Sequence, residues 1–406
     1  MPIVEDAFRS VAYPLRLHAG YNALRQLRTE VERTGRKRAF AVCGRSVAGN
    51  TNLLSRIETE LGDLYAGAFT AMDKDSSWPA VEAATAAARH AQADLLVAVG
   101  GGSVIVGTRV VAILLAEDGD PFELMTQYPA GKPAYSPRLA APKPPIVNVV
   151  TTPTSAMNRA GSGLRNDKLG HRMEYYDPKT RPVAIFWDAD ALLSAPAALV
   201  RSTAATGFCS ALRALASPRV NPLVEADRSH AFRLLHRSLP RIMTEPGNVA
   251  LRIDLCAAAL LENRAADDDQ GRRRERDQAA LDAYALATAL HVRYDHVPQG
   301  ESTTAVVPSV TRMTPPKDID GARRIAQALG AWQDGMDPGA AAQATAQSLE
   351  TLFRDIGMPT RVRELGIARE DLALLAREAQ RNFNANPGQR ADAYAGHLLK
   401  LLHAAW

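Results

Sequence analysis

The stretch DLLVAVGGGSVIVGTRVVAI, Asp94 to Ile113, narrows the possible folds more than any other part of the chain. An apolar run stops at Gly100, Gly101 and Gly102, and Ser103 opens a segment with helical spacing. Backbone without Cβ atoms can approach an anion closely, and the free N–H groups at a helix start attract negative charge. Strand, glycine turn and helix in that order predict a phosphate-binding turn in a parallel sheet; a tight structural turn is the other reading. The pattern is not GxGxxG. A second polar turn, TTPTS, follows another apolar run, and the hydroxyls of Thr151, Thr152, Thr154 and Ser155 are candidates to close the same groove.

From Arg38 to about Asp190, apolar runs such as RAFAVCG, PPIVNVV and PVAIFWD alternate with helical patterns. Such alternation predicts an α/β lobe over 1–190, a parallel sheet covered on both faces and built to bind a dinucleotide. From Ala191 onward the spacing is helical with almost no strand signal, which predicts an all-helical lobe over 191–406 and a cleft between the two. The Pro-rich PRLAAPKPP reads as a surface connection entering a strand.

Charge and cysteine usage exclude several classes of protein. Lys and Arg total 48 against 44 Asp and Glu, a net +4 spread along the chain, without the clustered footprint of a nucleic-acid binder. The one dense basic run, GRRRERDQ at 271–278, follows an acidic stretch and reads as a solvated loop or helix end. Cys43, Cys209 and Cys256 form neither a CxxC pair nor a disulfide framework, which fits a reducing compartment. The N-terminus lacks an apolar signal core, and no apolar run reaches the about 18 residues of a membrane span. The expectation is a soluble, cytoplasmic protein with a small-molecule substrate and neither membrane nor nucleic-acid partner.

GGGS after one strand, TTPTS after the next, PVAIFWDADALLSAP, TAATGFCSALRAL, VPQGESTTAVVPSVTR and IGMPTRVRELGIAREDL occur in that order. Together they resemble the iron-containing (group III) alcohol dehydrogenase superfamily, and within it the maleylacetate reductase branch; dehydroquinate synthase and glycerol-1-phosphate dehydrogenase are more distant relatives. The resemblance runs over nearly the whole chain. It implies an N-terminal dinucleotide-binding lobe, a C-terminal helical lobe, an active site in the cleft and a homodimer.

The same resemblance implies a metal site, and here the chain departs from it. Metal-binding members carry Gly-Met-Asp-Ala-Leu-Thr-His on the first helix of the helical lobe, and Gly207 to Arg213 match that segment with Cys209 at the Asp position and Arg213 at the His position. Anchoring the family's Pro-His-Gly turn on Pro298-Gln299-Gly300 puts Gln299, Ala285 and Ala289 at the remaining histidines. A divalent ion needs several donors, and a permanent cation repels it, so no catalytic metal is expected. Arg213 then has two open readings: a fixed charge that polarises a carbonyl or clamps an anionic group, or a filler paired with an acidic neighbour. Cys209 is either buried filler or a thiol activated by Arg213. His291, Tyr294 and His296 are the candidate proton donors, with His171 and Tyr175 weaker ones.

At the end of RAFAVCG, Gly44 stands where the family holds a ribose-binding Asp, with Arg45 and Ser46 next to it. Losing the carboxylate and gaining a cation favours a 2′-phosphate, hence NADP(H) over NAD(H). The family's Asp and Lys after GGGS are Val106 and Arg109 here. The function expected is a metal-independent NAD(P)H-dependent reductase of a small, anionic carbonyl or unsaturated compound. A non-redox lyase, cyclase or isomerase of a biosynthetic pathway on the same fold is the alternative.

Overall fold

The computed structural model describes residues 3–4, 7–129, 132–169, 172–217, 219–268, 277–382, 385–386 and 392–406. His171 and positions 271–276 of the basic run lie outside the described residues. The strands are β1 (Ile3–Val4), β2 (Arg16–Gly20), β3 (Ala39–Gly44), β4 (Tyr65–Met72), β5 (Leu95–Gly100), β6 (Ile146–Val150), β7 (Gly161–Leu164), β8 (Met173–Tyr176), β9 (Ala184–Asp188) and β10 (Arg219–Val220). The chain divides into two compact units, one of residues 13–196 with 246–256, the other of 1–12, 197–245 and 257–406.

The first unit is built on a six-stranded sheet in the order β2-β9-β6-β5-β3-β4, parallel throughout. β5, β6 and β9 are buried along their whole length, and β3 is buried up to its last residue. Their unbroken apolar runs are the signature of strands covered on both faces. The helix Gly102–Ala116 is buried over most of its surface, in keeping with a composition apolar all round. β7 and β8 pair as an antiparallel hairpin. The Pro-rich segment does run as coil into β6.

The second unit is helical, apart from the two-residue pairing of β1 with β10. Its helices include Ala197–Ala214, Pro222–Ser238, Gln278–Arg293, Gln299–Met313, Pro338–Asp355 and Asp392–Ala405. At Gly300 the helix Gln299–Met313 comes close to Ala197–Ala214: a Cβ there would lie 2.0 Å from the carbonyl oxygen of Ser202.

The units depart from a simple cut at 190/191 in three places. The break falls after Pro196, because Asp188 caps a further short helix, Ala189–Leu193, by accepting from the N–H groups of Asp190 and Ala191. Residues 246–256 join the sheet unit, where the Arg252 guanidinium donates to the carbonyls of Leu192, Ala195 and Pro246. The N-terminal residues join the helical unit, where Ser10 and Val11 both donate to the carboxylate of Asp268.

One buried carboxylate braces the edge of the sheet. Glu30, 1 % exposed, accepts from Arg16 and, at 3.0 Å, from His18 on β2. Burial works to raise its pKa, but the hydrogen bonds from Arg16 and His18 outweigh it and hold the carboxyl below its ordinary value. A depressed pKa contributes stability that is present above the unfolded value, near 4.5, and is lost as pH falls through the lower folded value. The denaturant midpoint of the wild type is therefore expected to fall more steeply with acidification below that pH than that of Glu30→Gln, as urea titrations across the acid range will show.

Candidate active site

The order of the sheet reverses between β3 and β5: the chain leaves β3 for the edge strand β4 and leaves β5 in the other direction, for β6. Crevices at the carboxyl ends of strands flanking such a reversal are where open parallel sheets bind ligands. The three polar segments singled out in the sequence end there, side by side. Cys43 is in register with Val99 and Gly100 with Val150, so Gly44, the glycine loop and Thr151 follow three adjacent strand ends spanning roughly 10 Å.

The glycines are required by contact. A Cβ on Gly100 would come within 2.7 Å of the Val104 side chain, one on Gly101 within 2.8 Å of the Thr152 hydroxyl oxygen, and one on Gly102 within 3.0 Å of the Thr154 hydroxyl oxygen. The N–H of Thr151 donates to the carbonyl of Gly100 at 3.1 Å, which fastens the two turns together. Gly101 precedes the helix without capping it through a side chain, so the first N–H groups of that helix are available to an anion. Ser155, by contrast, is exposed.

Arg109 holds this arrangement from below. It is 1 % exposed, and its guanidinium donates to the carbonyls of Arg159 and Gly161 at 2.7 Å and of Ala156 at 3.1 Å. Burial, with the neighbouring charges of Arg159 and Arg181, pulls its pKa down to about 9. Its role is to pin the backbone that follows TTPTS. Gly44 lies close to β4, where its Cβ would be 3.1 Å from the Met72 carbonyl oxygen, and Arg45 and Ser46 are both exposed.

The segment between Met72 and Trp78 belongs to this site and was not singled out in the sequence. Asp75 and Ser76 have φ of 59° and 51°. The N–H of Asp75 donates to the Ser103 hydroxyl at 3.0 Å, and the Ser76 hydroxyl donates to the Ser103 carbonyl at 2.5 Å. The available sequence signal was polar residues after a strand, which is also the signal of an ordinary turn.

In the helical unit, Cys209 and Arg213 share the helix Ala197–Ala214 but not an environment. Cys209 is enclosed, and burial, with the charge of Glu262, pushes its thiol far above the ordinary range. Activation by Arg213 is thus corrected: desolvation opposes the thiolate, and the nearby charge is negative. Arg213, 6 % exposed, forms an ion pair with Asp277, while its Nε and Nη1 make no hydrogen bond among the described residues. Asp277 also caps the helix Gln278–Arg293 by accepting from the N–H of Ala279 at 3.1 Å.

The candidate proton donors each have a structural partner. His291 is buried and its Nδ1 lies 3.0 Å from the carbonyl oxygen of Ala287, one turn earlier. Tyr294 donates to Asp371 at 2.6 Å, and His296, exposed, lies 3.1 Å from the Leu365 carbonyl oxygen. Tyr175 donates to the Pro121 carbonyl at 2.9 Å. Ala285 and Ala289 are buried and Gln299 is exposed. Among the described residues no group of three His, Cys, Asp or Glu side chains is placed to hold a metal ion. An un-ionised thiol, a guanidinium, two methyl groups and an amide do not fit a divalent cation.

A parallel sheet with glycine and threonine turns at its reversal point, followed by a helical unit, defines a two-part α/β and all-helical class of protein, and comparison with known proteins gives the family. Residues 14–189 match the family Iron-containing alcohol dehydrogenase, and 202–406 match Fe-containing alcohol dehydrogenase family, C-terminal. The chain belongs to the iron-containing alcohol dehydrogenase family and is an oxidoreductase. It is 27 % identical over 299 residues to 1,3-propanediol dehydrogenase of Citrobacter freundii, covering 73 % of this chain and 72 % of that one. It is 25 % identical over 381 residues to maleylacetate reductase of Sphingobium indicum, covering 92 % and 91 %. A solved structure of 1,3-propanediol oxidoreductase superposes with a TM-score of 0.83 at 22 % identity, covering 98 % of this chain and 100 % of that one. No helix among the described residues is long and apolar enough to cross a membrane.

Two outcomes follow from this geometry. Cys43, Cys209 and Cys256 are all buried, and burial raises each thiol. An aromatic disulfide reagent at neutral pH should therefore modify no cysteine of the native protein within minutes and all three after denaturation. Arg109→Met strands three carbonyls and is expected to cost about 3 kcal/mol or more in denaturant unfolding.

Proposed function

We propose that this enzyme reduces a small carbonyl or unsaturated compound carrying an anionic group, with hydride from NADPH in preference to NADH, and without a catalytic metal. The observation that carries the reading is the cradle itself. Gly101 leaves no room for a Cβ against the hydroxyl of Thr152 and Gly102 little against that of Thr154, while a helix start without a side-chain cap offers its N–H groups. Bound there, the cofactor supplies the hydride; the chain's own part is to hold its pyrophosphate on the glycine loop and to keep it fixed through Arg109.

Arg213 supplies the charge that a metal supplies in other members of the family. The planar fork of a guanidinium suits a carboxylate or a developing oxyanion. The ion pair with Asp277 leaves the buried Nε and Nη1 without a hydrogen bond among the described residues. A proton and a hydride together convert the carbonyl to an alcohol, so turnover consumes one reduced cofactor and one proton per product.

The NADPH preference rests on Gly44 and Arg45. Without a carboxylate at the end of β3 there is no repulsion of a 2′-phosphate, and the exposed Arg45 is free to pair with one.

Fluorescence titration with NADPH and NADH, with a chelator present throughout, tests the reading. Binding of NADPH that the chelator leaves unchanged supports it; failure to bind either nucleotide overturns it and turns the search to non-redox chemistry. Arg45→Ala is expected to weaken NADPH by about 10-fold and NADH hardly at all, since a charge-assisted hydrogen bond is worth about 1.5–3 kcal/mol. Arg213→Met should lower kcat/KM for a carbonyl acid by 100-fold or more, roughly what loss of one transition-state donor costs.

A further inference from the structure

Arg213 has more hydrogen-bonding capacity than its surroundings use. It lies in the last turn of the helix Ala197–Ala214 and is 6 % exposed. Nη2 forms the ion pair with Asp277, while Nε and Nη1 are buried and make no hydrogen bond among the described residues. The other buried arginines differ. Arg109 directs its donors to the carbonyls of Ala156, Arg159 and Gly161, and Arg252 to those of Leu192, Ala195 and Pro246. A buried N–H without an acceptor carries the full desolvation penalty of the group, so each such case calls for a physical account.

These donors border a crevice. In it Arg213 meets the helix Gln299–Met313 at Thr311, the helix Ile319–Ala328 at Ala322 and Ile325, and the helix Pro338–Asp355 at Ala342 and Thr345. The crevice comprises about 160 Å³ of space that opens toward solvent, and it is too narrow to seat a water molecule. Solvent therefore does not supply the missing acceptor. Thr311 and Thr345, 2 % and 1 % exposed, add hydroxyl-bearing side chains to the lining, and the rest of the wall is alkyl.

The chemistry of the lining selects the ligand. Two buried N–H groups of a cation suit an anionic acceptor. The carboxylate of Asp277 stands beside them, and Arg213 and Thr311 lie near helix carboxyl ends, which carry partial negative charge. A second negative charge on the ligand is thus repelled. The alkyl wall suits a short hydrocarbon chain, and the space equals roughly five times the ~30 Å³ that a water occupies in the liquid. The crevice has to widen, and one wall is weakly held. The buried cluster joining the helices Ile319–Ala328 and Pro338–Asp355 consists of Ala322, Ala326 and Ala341. Alanines bury little area, so this wall is displaced more readily than one packed with leucine.

We infer that this crevice binds a monocarboxylate with a short alkyl chain, its oxygens accepting from Arg213 and its chain lying against Ala322, Ile325 and Ala342. The acid group belongs either to the substrate, in which case the inference rests on the role given to Arg213 above, or to a separate carboxylic acid.

Calorimetric titration of the full chain without nucleotide uses butanoate, butanamide and inorganic phosphate as probes. Butanoate should bind saturably, and the amide and the phosphate about 10-fold more weakly or worse. Arg213→Met should weaken butanoate by about 10-fold or more, the loss of a charged donor. Thr345→Val, which keeps the shape and removes the hydroxyl, should weaken it by about 3- to 10-fold. The inference is overturned if the wild type does not bind butanoate, binds butanamide equally well, or is matched by Arg213→Met.

Steady-state assays with a carbonyl acid and saturating NADPH separate the two sources. Butanoate that raises KM and leaves kcat unchanged assigns the crevice to the substrate's own carboxylate; binding without a change in KM assigns it to a separate acid. Because the titration needs no nucleotide, failure of NADPH to bind removes the reductase reading and leaves butanoate binding to be judged by itself.

Discussion

The close approach of two backbone turns governs the sheet unit. Gly101 faces the hydroxyl of Thr152 at a distance that excludes even a methyl group, and Gly102 faces that of Thr154 at one that leaves a methyl group tight. Such an approach needs adjacent strands that end level, a helix that starts at once, and a following segment that cannot drift. Register supplies the first, with Gly100 opposite Val150. The buried guanidinium of Arg109 supplies the last, through three backbone carbonyls of the segment after TTPTS. Burying a cation among neutral carbonyls is tolerable only because all three are well aligned, and the lowered pKa of Arg109 reflects the cost.

The helical unit has the opposite character. Under the proposed metal-independent reading, the place of a convergent set of donors is taken by a salt bridge, an un-ionised thiol and two alanines. Arg213 pairs with Asp277, which is at the same time the cap of the helix Gln278–Arg293. One carboxylate thus anchors a cation and a helix end together, in a position where the helix dipole also favours negative charge. That coupling accounts for how an arginine is kept in a nearly buried place with part of its guanidinium still unengaged.

Asp282, in the same unit, is a buried charge that is fully partnered. It is entirely enclosed and accepts from Gln278, Tyr394 and His397, each at 2.7 Å. Asp75 in the sheet unit differs, since its buried Oδ2 has no donor among the described residues.

Much of the fold was legible in the residues because its determinants are local or periodic. Unbroken apolar runs announced strands buried on both faces, helical spacing announced the second unit, and GGGS and TTPTS announced their own turns. The residues Cys209, Arg213, Ala285, Ala289 and Gln299, and the expectation from the resemblance that they hold no metal, were equally open to reading. Pairing was not visible. That Arg213 meets Asp277, that Cys209 faces Glu262, that Arg109 reaches Ala156, Arg159 and Gly161, and that Asp75 leans on Ser103 all depend on contacts between positions 28 to 64 residues apart. The same holds for the edges of the units, where residues 1–12 and 246–256 cross over because of side-chain anchors far away in the chain. The sequence by itself determined which side-chain chemistry is present and where along the chain; the tertiary structure alone decided which charges are satisfied, because desolvation and hydrogen bonding act through space and leave no periodic trace along the chain.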